Sequence, residues 1–178
     1  MFERFFPDER VASTYDIDFE TLYEQGYRGI MFDIDNTLVE HGQDANERVK
    51  ELFSRLKAIG FECCLISNNK KQRVSRFNEQ IGVHTVFNAH KPAKKNYYYA
   101  MALMGTEPEN TIFVGDQLFT DVYGAKRIGV RNFLVKPIDK KEEIQIVIKR
   151  FFERFILREY KRKKDKKGNA EWTQKEAE

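Results

Sequence analysis

The chain has 178 residues, 41% of them apolar and 33% charged, and its 31 basic against 28 acidic side chains give a net charge of +3. A domain of this size buries a full core without disulfides or structural metals, and the balance excludes a collagen, a disulfide scaffold and a wholly disordered chain. The charge is uneven: residues 149–178 hold 11 Lys/Arg against 6 Asp/Glu, whereas residues 1–148 hold 20 against 22.

The opening Met1-Phe2-Glu3-Arg4-Phe5-Phe6 has no basic segment leading into a long apolar one, so it does not read as a secretory signal. No apolar run approaches the roughly 18–20 residues of a membrane-spanning helix. Arg28 to Asp33 reads as a buried strand. Residues 45–59 read as a helix: Val49, Leu52, Phe53 and Leu56 recur at helical spacing, Asp44 and Glu47 stand at capping-box spacing, and Gly60 supplies the stop. Phe61 to Ile66 is a second strand carrying the only cysteines, Cys63 and Cys64. As neighbours they cannot bridge without strain, and on a strand they face opposite ways, so thiolate metal binding is not expected and a reduced, cytosolic setting is. A polar helix over 71–80 and a short strand Thr85-Val86-Phe87 follow. Pro92 opens a helix to about Met104, stopped by Gly105. Thr111 to Val114 is a fourth strand, 118–127 a helix and Val130 to Val135 a fifth strand, and a long helix follows Pro137. This alternation predicts an α/β fold, a five-stranded parallel sheet with helices on both faces. Residues 1–160 read as a single domain and 161–178 as a basic tail without fixed structure.

In open α/β sheets ligands bind beyond the carboxyl ends of the strands. The first strand ends in Asp33-Ile34-Asp35-Asn36-Thr37, the second in Ser67-Asn68-Asn69, the third leads to His90-Lys91-Pro92, and the fourth ends in Gly115-Asp116-Gln117 followed by Thr120-Asp121. Each piece alone has a bland reading: a helix cap, a solvated lysine, a turn. Four in order, each at a strand end, converge carboxylates, a hydroxyl and an ammonium on one sheet edge. That set suits a hard cation and a phosphate, since Mg²⁺ takes oxygen ligands from one or two carboxylates plus phosphate and water.

These motifs resemble the haloacid dehalogenase superfamily of phosphohydrolases: D-x-D-x-T at Asp33 to Thr37, a Ser ending the next strand at Ser67, a Lys, and G-D-x-x-x-x-D at Gly115, Asp116 and Asp121. The resemblance spans residues 28–135. It implies a Rossmann-like three-layer sandwich and a Mg²⁺-dependent phosphomonoesterase in which Asp33 attacks phosphorus and Asp35 serves as acid and base. Mg²⁺ would be held by the Asp33 carboxylate, the Asp35 main-chain carbonyl and Asp116. Ser67, Asn68 and Lys91 would bind phosphate oxygens, Thr37 would brace the loop, and Asp121 would reach the metal through water or pair with Lys91. Lys94 and Lys95 compete with Lys91 for the lysine role, which the start of a helix at Pro92 favours for Lys91. The run Gly115 to Ala125, with Phe6-Pro7-Asp8 and Tyr15-Asp16-Ile17, is similar to the type IIIA subfamily that includes phosphatidylglycerophosphate phosphatases.

Many relatives insert a cap domain after the first or second motif. Here 29 residues separate Thr37 from Ser67 and 23 separate Ser67 from Lys91, so neither gap holds one and an open site is expected. Uncapped members either form homo-oligomers that cover the site or act on large substrates. Ile144, Ile148, Phe151, Phe152, Phe155 and Ile156 form an apolar stripe, with Arg150, Arg154, Arg158 and Lys161 to Lys164 around it. Such a helix covers the sheet or lies on an anionic membrane; Phe2, Phe5 and Phe6 are a second anchor or core packing. The preferred substrate is therefore a lipid phosphate, phosphatidylglycerophosphate, met from the cytoplasm at the inner face of the membrane. The alternatives are a soluble nucleotide or sugar phosphate, or a phospho-accepting or binding protein. A receiver domain uses the same residue types, but its lysine follows the last strand, whereas Lys91 precedes Asp116. No specific nucleic-acid partner is expected, because the basic run lacks interleaved aromatics and a reader motif.

Overall fold

The computed structural model describes residues 2–139 and 152–165. The chain divides into two compact units, Pro7–Lys140 and the pairing of Met1–Phe6 with Lys141–Glu178. The first holds a fully parallel sheet of β1 (Glu9–Val11), β2 (Gly29–Phe32), β3 (Glu62–Ile66), β4 (His84–Val86), β5 (Thr111–Gly115) and β6 (Arg131–Val135), in the order β1-β6-β5-β2-β3-β4. β2 lies inside the sheet and buries all four of its residues, as its uninterrupted apolar run requires. One face packs Phe32, Ile112 and Val114 against Phe19, Phe53 and Leu56; the other packs Met31, Cys64 and Phe113 against Tyr97 and Met101.

Six strands replace the expected five. β1 escapes the pattern because Glu9-Arg10-Val11 is short, charged and paired on one side only. Its register against β6 is pinned by Asp8, whose Oδ2 accepts from the Asn132 backbone N–H at 3.0 Å and from Asn132 Nδ2 at 2.5 Å. Asn132 is fully buried. Asp8→Ala strands those donors and should lower stability by about 1–3 kcal/mol; an unchanged urea midpoint would contradict this role.

The helices are α1 (Phe19–Glu24), α2 (Glu47–Ile59), α3 (Lys71–Asn78), α4 (Lys94–Met104) and α5 (Tyr123–Lys126). α2 presents Val49, Leu52, Phe53 and Leu56 to the core and ends at Gly60, whose φ of 113° is the left-handed stop. Its cap is Asn46, which accepts from the Val49 N–H at 3.0 Å; Asp44, the expected cap, pairs with Arg76. α4 starts at Lys94, two residues after the expected Pro92, which follows a cis bond. The stretch expected as one helix over 118–127 begins as a π-helical turn, Leu118–Val122, before α5. Between Thr37 and Ser67 the chain forms only a loop, α2 and β3, and between Ser67 and Lys91 only α3 and β4, so no cap domain is inserted at either point.

In the second unit a helix runs over 152–165, so residues 161–165 of the expected unstructured tail are helical. The rest of that tail, and Ile144, Ile148, Arg150 and Phe151 of the apolar and basic stripe, lie outside the described residues. Phe2 meets Phe155 edge-on at 6.0 Å and Phe6 meets Tyr160 at 5.5 Å, while Lys163 pairs with Glu3. Phe152 and Phe155 are more than half exposed on this helix.

Candidate active site

β2, β3 and β5 run parallel, so their carboxyl ends deliver Asp33, Ser67 and Asp116 to one edge. The Asp33 N–H donates to Val114 O at 3.0 Å, extending the β2–β5 ladder to the last residue before the chain turns. Lys91 arrives from beyond β4. Its Nζ donates to Asp33 Oδ1 at 2.6 Å and to Asp121 Oδ1 at 2.7 Å. Lys94 and Lys95 are exposed on the first turn of α4. Oxygens of Asp33, Asp116 and Asp121 lie within 4.8 Å of one another, all buried.

Three buried carboxylates around one ammonium leave an excess of negative charge. Burial opposes the Lys91 ammonium, but Asp121 and Asp33 outweigh it and raise its pKa, so it stays charged. Burial pushes the Asp33 carboxyl up, to about 7, with Lys91 opposing and Asp121 and Asp35 reinforcing the rise. Such a cluster wants a further cation. Asp121 gives one oxygen to Lys91 and the other to the Gln117 N–H at 3.1 Å, which makes Asp33 and Asp116 the better donors for a hard divalent ion. Gly115 is required here by space: a Cβ would stand 2.5 Å from Asp121 Oδ2 and 2.6 Å from its Cβ. The glycine of the motif thus lets Asp121 fold back beside its own strand.

The remaining expected residues divide. Thr37 Oγ1 reaches Asp116 Oδ1 at 3.4 Å. Ser67 Oγ accepts from the Asn69 N–H at 3.1 Å, which keeps its own proton available. The Asn68 side-chain oxygen accepts from the Lys91 N–H at 2.7 Å, tying the lysine loop to the end of β3. The Asp35 carboxylate stands outside the acidic cluster, held by the Gly42 N–H at 2.7 Å, Asn69 Nδ2 at 2.5 Å and Arg73 Nη2 at 3.0 Å.

Sequence reasoning missed the residues that hold the loop after β2. Asn36 sits at φ 64°, a turn that asparagine tolerates. Its carbonyl accepts from the Ile138 N–H at 3.2 Å and its side chain from the Asp139 N–H at 3.1 Å. From the other side, Thr14 Oγ1 donates to Thr37 O at 2.8 Å and Tyr15 OH to Leu38 O at 2.9 Å. The Tyr15-Asp16-Ile17 resemblance was the one signal that touched this brace. Both cysteines are buried, and burial raises both thiols, which makes them poor nucleophiles.

Comparison with known proteins agrees with this geometry. A family model described as haloacid dehalogenase-like hydrolase matches residues 40–129. The chain is 37% identical over 174 residues to the probable phosphatase YqeG of Bacillus subtilis, covering 97% of this chain and 99% of that one. It is 27% identical over 141 residues to phosphatidylglycerophosphate phosphatase 1 of Arabidopsis thaliana, covering 74% of this chain and 40% of that one. In fold it is similar to the cobalt-bound deoxy-D-mannose-octulosonate 8-phosphate phosphatase of Haemophilus influenzae, with a TM-score of 0.51 at 12% identity, covering 62% of this chain and 69% of that one. The chain belongs to the haloacid dehalogenase-like hydrolase family, among its phosphatases.

Proposed function

We propose that this phosphatase removes the terminal phosphate of phosphatidylglycerophosphate, or of a closely similar lipid phosphate, with Mg²⁺ as its cofactor. The observation that carries the chemistry is the buried Asp33–Lys91–Asp121 chain beside Asp116. Asp33 attacks phosphorus: its oxygen–phosphorus bond forms as the bond to the leaving oxygen breaks, and Asp35 gives that oxygen a proton. Water then attacks the aspartyl-phosphate, Asp35 takes back a proton, and free phosphate leaves. Lys91 and the Ser67 hydroxyl offset charge on the phosphoryl oxygens. Bound by Asp33 and Asp116, with the Asp35 carbonyl as a third ligand, Mg²⁺ would supply positive charge against the phosphoryl oxygens.

The lipid assignment rests on the uncapped edge and on the helix over 152–165. That helix exposes Phe152, Phe155, Arg154 and Arg158, and exposed Lys161 to Lys164 continue it. Aromatic rings enter the interfacial region, and each basic residue adds about 1 kcal/mol of attraction to an anionic leaflet. The protein would work at the inner face of that membrane.

The test is phosphate release from vesicles containing phosphatidylglycerophosphate, beside nucleotide and sugar phosphates, with and without chelator. Turnover should be greatest on the lipid, vanish with EDTA and return with Mg²⁺. Co-sedimentation with anionic vesicles should fall as salt rises. Faster hydrolysis of soluble phosphates would select the small-metabolite reading. Undiminished turnover in EDTA would rule out the metal role.

A further inference from the structure

We propose that Arg73 is a positioning residue for Asp35, fixing its carboxylate where it can protonate the leaving oxygen. The inference rests on the acid–base role of Asp35 in the reading above.

Arg73 lies on α3, whose buried face is Val74 and Phe77. Only 14% of its side chain is exposed, and its guanidinium lies over the Phe77 ring at 5.3 Å. Nη2 makes two hydrogen bonds, to Asp35 Oδ1 at 3.0 Å and to Gln43 O at 2.6 Å. Nε and Nη1 are buried without a hydrogen bond, although Nη1 lies 3.9 Å from Asp44. Burying a guanidinium with two nitrogens that donate to nothing is unfavourable, at about 1–3 kcal/mol for each. An exposed lysine in this polar helix would serve stability as well. What the arginine supplies is a planar, packed guanidinium whose single Nη2 group ties Asp35 Oδ1 to the Gln43 carbonyl of the loop over 40–44.

Asp35 needs this grip. Its side chain is 12% exposed, and its partners are the Asn69 amide, one backbone N–H and Arg73. Without the guanidinium, Oδ1 keeps only the Gly42 N–H, and the carboxyl can rotate away from the leaving oxygen. The transfer demands that the Asp35 O–H bond breaks as the leaving O–H bond forms, so orientation enters the rate directly; an ångström of misplacement costs about 10²-fold.

Leaving-group dependence separates this role from a merely structural one. A 4-nitrophenolate departs with little help from an acid, whereas an ethoxide needs its proton. Arg73→Ala should lower kcat on ethyl phosphate about 10²-fold more than on 4-nitrophenyl phosphate. Asp35→Asn should show the same bias, and Arg73→Ala in that background should add little. Arg73→Lys, which restores the cation but not the plane and reach of the guanidinium, should remove part of the bias seen in Arg73→Ala, and thermal melts establish that each variant is folded. An equal loss on both esters, a rise in KM alone, or a loss additive with Asp35→Asn would overturn the inference. If Asp35→Asn itself shows no bias, the acid–base reading of Asp35 fails instead, and the role of Arg73 with it.

Discussion

Asp33→Asn is expected to abolish turnover, by about 10⁴-fold or more, while raising the thermal stability of the metal-free protein. The two effects share one cause. A carboxylate needed as a nucleophile has been placed where burial opposes its charge, so its pKa rises from 3.8 to about 7. The sign follows from linkage. Below about pH 4 Asp33 is protonated folded and unfolded, and the shift contributes nothing. Between about pH 4 and 7 the folded protein keeps a proton that the unfolded chain releases, so stability falls as pH rises, and above about 7 the penalty is complete. At about 1.4 kcal/mol per unit the ceiling is about 4 kcal/mol. That ceiling already contains the attraction of Lys91, which opposes the rise, and relaxation around a buried charge lowers the cost further, so the expected net gain is about 1–2 kcal/mol or about 3–6 °C in Tm near pH 8. The gain should shrink towards zero near pH 4. Adding Mg²⁺ should raise the Tm of the parent protein more than that of Asp33→Asn, because the metal binds only the folded state. A mutant that melts lower than the parent at high pH would show that Asp33 is held comfortably without a cation.

Lys91→Met is expected to do the opposite to stability. The side chain is 3% exposed and is the ammonium that bridges Asp33 and Asp121. Its removal leaves three buried carboxylates facing one another, at a cost of about 3–5 kcal/mol, and lowers kcat about 10³-fold. Lys94→Met and Lys95→Met, at exposed positions on α4, should each change stability by less than about 0.5 kcal/mol. Urea unfolding of the three variants checks this. A Lys91 variant as stable as the parent, or a larger effect at Lys94, would transfer the role to another cation.

The part of the site that could be read from the sequence is the part built from strand ends. A run of apolar residues broken abruptly by Asp33, Ser67 or Asp116 marks where the chain leaves the sheet, and a parallel sheet brings all such ends to one edge. Lys91 was legible for a similar reason, through the proline beside it. Arg73 was not. On a helix whose composition is polar it reads as one solvated charge among several, and only its distance to Asp35, 38 positions earlier, gives it a role. Asn36 occupies an unspecified position of the D-x-D-x-T motif, and its use depends on backbone N–H groups of Ile138 and Asp139 that no spacing links to it. Thr14 and Tyr15 are hidden likewise, because their partners are main-chain carbonyls, which have no sequence signature. The sixth strand failed for want of pattern: three residues, two of them charged, carry no period.

That strand has a consequence for how the molecule is made. β1 pairs only with β6, more than 120 positions later. During synthesis the first strand to emerge therefore finds no neighbour until the last strand of the sheet has been translated. The same delay reaches the catalytic loop, since Asn36 awaits the N–H groups of residues 138 and 139. The nascent chain can thus assemble β2, β3 and β4 early, yet it acquires a finished phosphate-handling edge only when both ends of the sheet have closed. A ribosome stalled before residue 139 would hold a chain with most of its core and an unsealed active-site loop.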